Sequence, residues 1–478
     1  MSIPNINRRN LLGAFAAGSM VGTNSVQAAI RDLTLSSHAT LDTIVIGGGL
    51  AGLSAARRLK NQGASVLVIE ARNRIGGRIS TQVLPSGQRI DLGAQFVSDD
   101  QRRISALVDE AGLTRVKPHV SGDHLFISSN KATPVRVSAD DMPLPLFGKL
   151  DMLLANWRFE RQRRDFRKDI SRLDTISAST FLRELTHTRV TESFVFGLIE
   201  GEYCVSLDEI SAYELLEQVT SMGGLSGLNN SDQWFLSEGA ESLAHHLRTC
   251  IGSTLVLNSL AQSLDVKPDK ITVETPSGKY SARHIIVAVP PQLYDRIGLL
   301  KVIPPKRSRV ISAYRSGKVI KTLLIFESPW WRARGLSGRI HHTGSLFNSA
   351  VDCSPPDGRI GVLAIFSTSH SAHNLEINRS ESVRIRLAME WLRQVSNTTI
   401  PPAVAARSVD WSAEPWSLGG YAGVRSLGGW LAAPQLFAPH GRIHFAGTET
   451  ATEWRSYMEG ALESAERAAQ SVLLNESR

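Results

Sequence analysis

Asp42-Thr43-Ile44-Val45-Ile46-Gly47-Gly48-Gly49-Leu50-Ala51-Gly52 reads as a strand, a tight turn and the opening of a helix. A run of β-branched residues that ends on glycine suits a parallel strand covered on both faces. Gly47 allows the turn, Gly49 lets the backbone approach a pyrophosphate, and Gly52 lets the following helix, which runs through Leu59, pack close on the strand. The helix start, around Ala51, offers free N–H groups and the positive end of a dipole to phosphates. A glycine pattern of this kind is weak evidence alone. A second strand-like run, Ser65-Val-Leu-Val-Ile69, ends in Glu70, eighteen residues after Gly52. Its carboxylate can accept both ribose hydroxyls and disfavours a 2′-phosphate, which leaves FAD and NAD open and argues against NADP.

Outward from this unit, a chain of 478 residues is too long for one hydrophobic core, so two domains are expected. Hydrophobic residues at 42% and charged residues at 21% exclude a disordered, collagen-like or membrane-bundle chain. The net charge of +8 is a mild excess. The basic run Arg158 to Lys168 also holds Glu160 and Asp165, so it reads as a solvated helix face, with a partner or membrane surface as the lesser reading and no nucleic acid expected. Cys204, Cys250 and Cys353 are far apart and lack metal-ligand spacing, so no metal is expected. One disulfide and three separate thiols both remain open.

At the amino terminus, Asn7-Arg8-Arg9-Asn10-Leu11-Leu12 precedes an uncharged, Ala/Gly-rich run to Val26, and Val26-Gln27-Ala28 offers a cleavage site. These are the parts of a twin-arginine signal peptide over residues 1–28, which predicts a periplasmic or secreted protein folded around its cofactor before export. The run is too short and glycine-rich to be a stable membrane anchor.

Ala71-Arg72-Asn73-Arg74-Ile75-Gly76-Gly77-Arg78 follows Glu70 directly, and Asp91-Leu92-Gly93-Ala94-Gln95-Phe96 comes next. Near the other end stand His444-Phe-Ala-Gly447-Thr448-Glu449-Thr450 and Trp454-Arg-Ser-Tyr457-Met458-Glu459-Gly460-Ala461. Together these motifs resemble the flavin-containing monoamine oxidase family, the chain looking like a bacterial exported member, with likeness from about residue 41 to 473. The resemblance implies an α/β fold, with a Rossmann-like FAD-binding domain (GxGxxG) and an interleaved α+β substrate domain. The FAD-binding domain is then discontinuous, over 41–115, 230–310 and 414–474, and the substrate domain takes 116–229 and 311–413. Ile285-Ile-Val-Ala-Val-Pro290-Pro291 matches the strand that closes the flavin domain.

By the same resemblance, FAD is held by Gly47, Gly49, Ala51, Gly52, Glu70, Ala71, Arg72, Arg78, Ala261, Trp411, Gly447, Thr448, Glu449, Tyr457 and Met458, with Arg78 offsetting pyrophosphate charge. A helix opening near Met458 would stabilise negative charge on a reduced flavin, and Leu462, Ala465, Ala469, Val472 and Leu473 form its buried stripe. Lys321 matches the lysine that reaches the flavin through a water. Tyr421 and Tyr457 match two cage tyrosines that desolvate the amine and tolerate its charge. Phe96 and Phe366, both in strand-like runs, match residues lining the substrate cavity.

Mitochondrial relatives bind FAD covalently through a cysteine before the first cage tyrosine, and this chain has Gly420 there, so noncovalent FAD is expected. The implied function is oxidation of a primary or secondary amine to an imine, with dioxygen or a periplasmic cytochrome as the electron acceptor. An L-amino-acid oxidase is the nearest alternative, and a non-enzymatic FAD-binding scaffold is the alternative of a different class. Amino-acid oxidases of the family place an arginine soon after the position of Gly93, but here none occurs before Arg102. Arg315, Arg339 and Arg455 are the other arginines that could serve. The identity of the amine and the oligomeric state, a homodimer included, stay open at this level.

Overall fold

A computed structural model describes residues 40–128, 133–138, 141–376, 380–421 and 423–476; the proposed signal peptide lies outside them. The opening motif forms the strand Leu41–Ile46 and the helix Leu50–Asn61. That strand is the hub of a seven-stranded sheet and lies parallel to both Val66–Ile69 and Gly278–Val287. Leu255–Val256 and Ile443–Phe445 extend the parallel set, while Ser263–Val266 and Ile271–Thr275 add an antiparallel edge. The strands are rich in Val and Ile because helices and loops cover both faces.

The helix Leu50–Asn61 buries Leu53, Ala55, Ala56 and Leu59 against the sheet and against the long helix Met458–Glu476. Small residues set the spacing. A Cβ on Gly52 would stand 1.9 Å from the Gly47 carbonyl oxygen, so any other residue would push the helix off the strand. Gly47 itself has φ +112°, a conformation glycine adopts without penalty. On the last helix, Leu462, Ala465, Ala469 and Val472 are buried and Leu473 packs at their edge.

A second seven-stranded sheet has the order Ala405–Asp410, Val319–Phe326, Gly361–Thr368, Ser349–Asp352, Leu336–His342, Asp123–Ile127, Val135–Val137. Its second strand, Val319–Phe326, is buried at every position. Directly opposed residues of antiparallel strands share a face. Lys321 opposes Phe366, Phe366 opposes Ser349, and Ser349 opposes His341, which makes one cross-strand row.

Helices Leu146–Asp165, Ala178–Leu185, Arg189–Tyr203 and Ala212–Ser221 pack as a third body around Phe159, Phe181, Leu182 and Leu216. Ser177, Thr188 and Ser211 cap the last three by accepting from the N–H of Thr180, Thr191 and Glu214, each worth about 1 kcal/mol. The basic run falls on the end of Leu146–Asp165, where Arg163 pairs with Glu160 and Lys168 with Asp165. The preceding turns of this helix expose Leu146, Phe147, Leu150, Leu153, Leu154 and Trp157, an apolar face that a reading of charges alone did not register. All three cysteines are free. No described helix is long and apolar enough to cross a membrane.

Candidate active site

One cavity of about 580 Å³ runs between the carboxyl ends of the parallel strands, the Lys321 row of the second sheet and the helical body. A crevice beyond the strand ends is where open α/β sheets bind ligands. Its first half is a nucleotide cradle. Gly47, Gly49 and Ala51 line it at the helix start, and Glu70, Ala71, Arg72 and Ala261 line it beyond the second strand. The Glu70 carboxylate accepts from the N–H of Gly48 at 2.6 Å and of Arg72 at 2.9 Å. Its orientation is thereby fixed, and lone pairs remain for ribose hydroxyls.

On the opposite wall, Gly447, Thr448, Tyr457 and Met458 border the cavity where the helix Met458–Glu476 begins. The Thr448 hydroxyl donates to the Tyr457 carbonyl at 2.9 Å, and Ser464 accepts from the Gly447 N–H at 3.0 Å. Two helix starts therefore face one elongated cavity, an arrangement that suits a dinucleotide with anionic groups along its length. No cysteine lines this cavity. The cradle fits FAD held without a covalent bond.

Trp411 lines the same region and donates to the Leu92 carbonyl at 3.0 Å. Arg72 borders the cavity with its guanidinium anchored to Ser417 at 2.8 Å. Arg78 borders the same cavity. Its guanidinium lies on Glu449 in a bidentate pair at 2.7 and 3.0 Å, and also donates to the Tyr421 carbonyl at 2.8 Å. The Glu449 side chain is only 1% exposed, so a neutralised pair ties the cradle to the cage. Gly52 and Glu449 do not line the cavity; they act one layer behind it.

In the second half, Lys321, Phe366, Tyr421, Tyr457 and Phe96 all line the wall. Phe96 does so from an irregular connection rather than the strand-like segment expected, because the strand Arg89–Asp91 ends before it. Lys321 donates to the Gly93 carbonyl and to Gln95 Oε1, each at 3.0 Å, and lies 5.6 Å from the Phe366 ring centre. Burial lowers its pKa, opposed by Cys353 and Asp91.

Among the polar residues of the cavity that escaped the sequence reading as site residues are Gln95, Glu202, Asp232 and His341. Glu202 accepts from the Tyr457 hydroxyl. Burial first, then the neighbouring Asp232 charge, pushes its carboxyl up to about 7, with the Tyr457 bond opposing. Burial also raises Asp232, opposed by Arg339 and Ser231. Arg339 lines the cavity, whereas Arg455 is buried on Glu214 and Arg315 faces Glu209. A signal for Glu202 did exist. Glu200 and Glu202 are two acids within the last turn of the helix Arg189–Tyr203, and both are part-buried.

Residues 50–473 match the family described as flavin containing amine oxidoreductase. The chain belongs to that family. Being a flavin-containing amine oxidoreductase, it is an enzyme and its cofactor is FAD. It is 28% identical over 455 residues to a Synechocystis L-amino acid dehydrogenase, spanning 92% of this chain and 96% of that one. It is 29% identical over 453 residues to the Sus scrofa flavin-containing amine oxidase B, spanning 90% and 86%. Among solved structures, putrescine oxidase bound to putrescine superposes with a TM-score of 0.86 at 25% identity, over 91% of this chain and 99% of that one. Cyclohexylamine oxidase from Brevibacterium oxydans shares the fold, with a TM-score of 0.83 at 22% identity over 92% and 100%.

Proposed function

We propose that the protein oxidises a primary or secondary amine at its α-carbon to an imine, which water hydrolyses to an aldehyde or ketone. The observation that carries this reading is the single cavity joining the FAD cradle to Lys321, Tyr421 and Tyr457. FAD, when bound, would supply the two-electron acceptor, with dioxygen as the terminal oxidant and hydrogen peroxide as its product. The two tyrosines present aromatic surface that excludes water and attracts a cationic nitrogen. Burial disfavours the charged form of Lys321, and in its neutral form both Nζ hydrogens would be engaged by Gly93 and Gln95. Its lone pair then turns away from them, an acceptor for a water or a substrate N–H.

Arg339 supports a second reading, an α-amino acid as substrate, in keeping with the name of the Synechocystis relative. Two carboxylates, Glu202 and Asp232, border the same half of the cavity and outnumber that arginine, which favours a substrate without a carboxylate. Anaerobic bleaching of the flavin tests the choice: phenylethylamine should outpace phenylalanine by about a hundredfold. Bleaching by neither compound nor by any other amine would defeat the reading. Oxygen consumption with purified enzyme separates an oxidase from a dehydrogenase that feeds a cytochrome. Export by the twin-arginine route completes the proposal, supported by Arg8 and Arg9.

A further inference from the structure

The cavity holds an acid that the reaction above leaves without a task. Glu202 lies in the last turn of the helix Arg189–Tyr203, borders the cavity and binds the hydroxyl of Tyr457, one wall of the cage. Its charge is also felt by Tyr421, the other wall. An amine reaches the enzyme mainly as an ammonium ion, since aliphatic amines, like lysine, titrate near 10.4. An ammonium nitrogen has no lone pair, and the proposed oxidation needs one to expel hydride from the α-carbon. Something must take a proton after the cation enters. Lys321 is already committed to the Gly93 carbonyl and Gln95 Oε1.

Resting on the proposed function, we infer that Glu202 is the residue that binds the substrate ammonium and accepts its proton. The step is balanced without any oxidant. One N–H bond breaks and leaves its electron pair on nitrogen, one O–H bond forms on Glu202, and an ion pair becomes a neutral amine beside a carboxylic acid. Loss of both charges suits an apolar, aromatic-walled site where separated ions are costly. A carboxyl that titrates at about 7 is a far better proton acceptor than an ordinary glutamate and is still largely ionised at pH 8. The titratable groups around it are Asp232 with Arg339 behind it, Tyr421, Tyr457, and Tyr203 and Cys204 on its own segment. Burial raises the tyrosines and the thiol further from neutrality, which leaves Glu202, at about 7, to titrate in the working range. Asp232 accepts from the Ser231 hydroxyl, whereas Glu202 holds the cage residue Tyr457 directly. The inference also narrows the substrate class to amines that arrive charged.

The test uses the FAD-loaded enzyme, Glu202→Gln and Glu202→Asp. In the wild type, kcat/KM for phenylethylamine should rise through an acid limb near pH 7. In Glu202→Gln it should fall about a hundredfold at pH 7.5 and then climb about tenfold per pH unit, tracking the free amine in solution. Glu202→Asp should restore part of the acid limb. A readout independent of turnover comes from α,α-dimethylbenzylamine, which has no hydrogen on its α-carbon. Calorimetry at pH 8 in buffers of different ionisation enthalpy should show almost no proton released on binding to the wild type, and about one proton released per ligand with Glu202→Gln. An unchanged pH profile in Glu202→Gln, a rise in KM alone with the limb intact, or equal proton release by both proteins would each overturn the assignment. Amine bleaching that survives unaltered in Glu202→Gln defeats this inference alone, while absence of bleaching in the wild type defeats the function beneath it.

Discussion

Glu449→Gln should loosen the enzyme at the point where its two halves meet. Glu449 is buried in a bidentate pair with Arg78, and its Oε1 also accepts from the Gly423 N–H at 3.2 Å. The substitution keeps the shape and one acceptor but leaves Arg78 without a counter-charge, and breaking a buried pair in this way costs about 3–5 kcal/mol. Arg78 is 22% exposed, which lets water recover part of that cost, so the lower end is expected. At roughly 2.1 cal/mol/K per residue, the unfolding entropy of this chain is about 1 kcal/mol/K, and the melting temperature should fall by about 3 °C. Burial raises the Glu449 carboxyl, but Arg78 and the backbone N–H bonds outweigh it and hold the pKa below the usual value. For a depressed pKa, the stabilisation is complete above the unfolded value of 4.5 and is lost as pH falls through the folded value. The difference between wild type and variant should therefore be constant from pH 6 to 8 and shrink below about 4.5. Differential scanning fluorimetry of the FAD-loaded proteins reads both. Because Arg78 also holds the Tyr421 carbonyl, kcat/KM for amines should drop with stability. Equal melting temperatures across the pH range would refute the claim that this pair braces the cage.

Lys321→Met should retain FAD yet slow one of the two half-reactions by about tenfold, roughly 1.4 kcal/mol of barrier; wild-type rates in both stopped-flow phases would make Lys321 structural only. Tyr421→Ala and Tyr457→Ala should each lower kcat/KM for amines while the flavin spectrum persists, and unchanged kinetics in both would remove the cage from the mechanism. Acid or heat precipitation should release all of the flavin to the supernatant, and yellow colour left in the pellet would contradict noncovalent binding. Replacement of Arg8 and Arg9 by lysine should hold the protein in the cytoplasm, and normal export of that variant would exclude the twin-arginine route.

Local rules carried much of the nucleotide half. A turn that needs glycine at Gly47, a helix that needs glycine at Gly52 to approach its strand, and an acid at the end of the second strand are short-range demands, so they are written contiguously and can be read as such. Lys321 was legible through the family resemblance, on a lysine standing in the apolar run Val319–Phe326. What the sequence could not fix was which residues meet across the chain. The Glu449–Arg78 pair spans 371 positions and Glu202–Tyr457 spans 255. Neither pair has a local signature, because a charge is costly or useful only in relation to what surrounds it after folding. Arg78 shows this in one residue: its motif suggests a cation facing phosphate, and only the tertiary structure supplies the buried glutamate that holds it at the cavity wall. The identity of the fold was thus settled by backbone geometry encoded within short windows, and the protonation and polarity of the site by burial and partners that only the packed structure supplies.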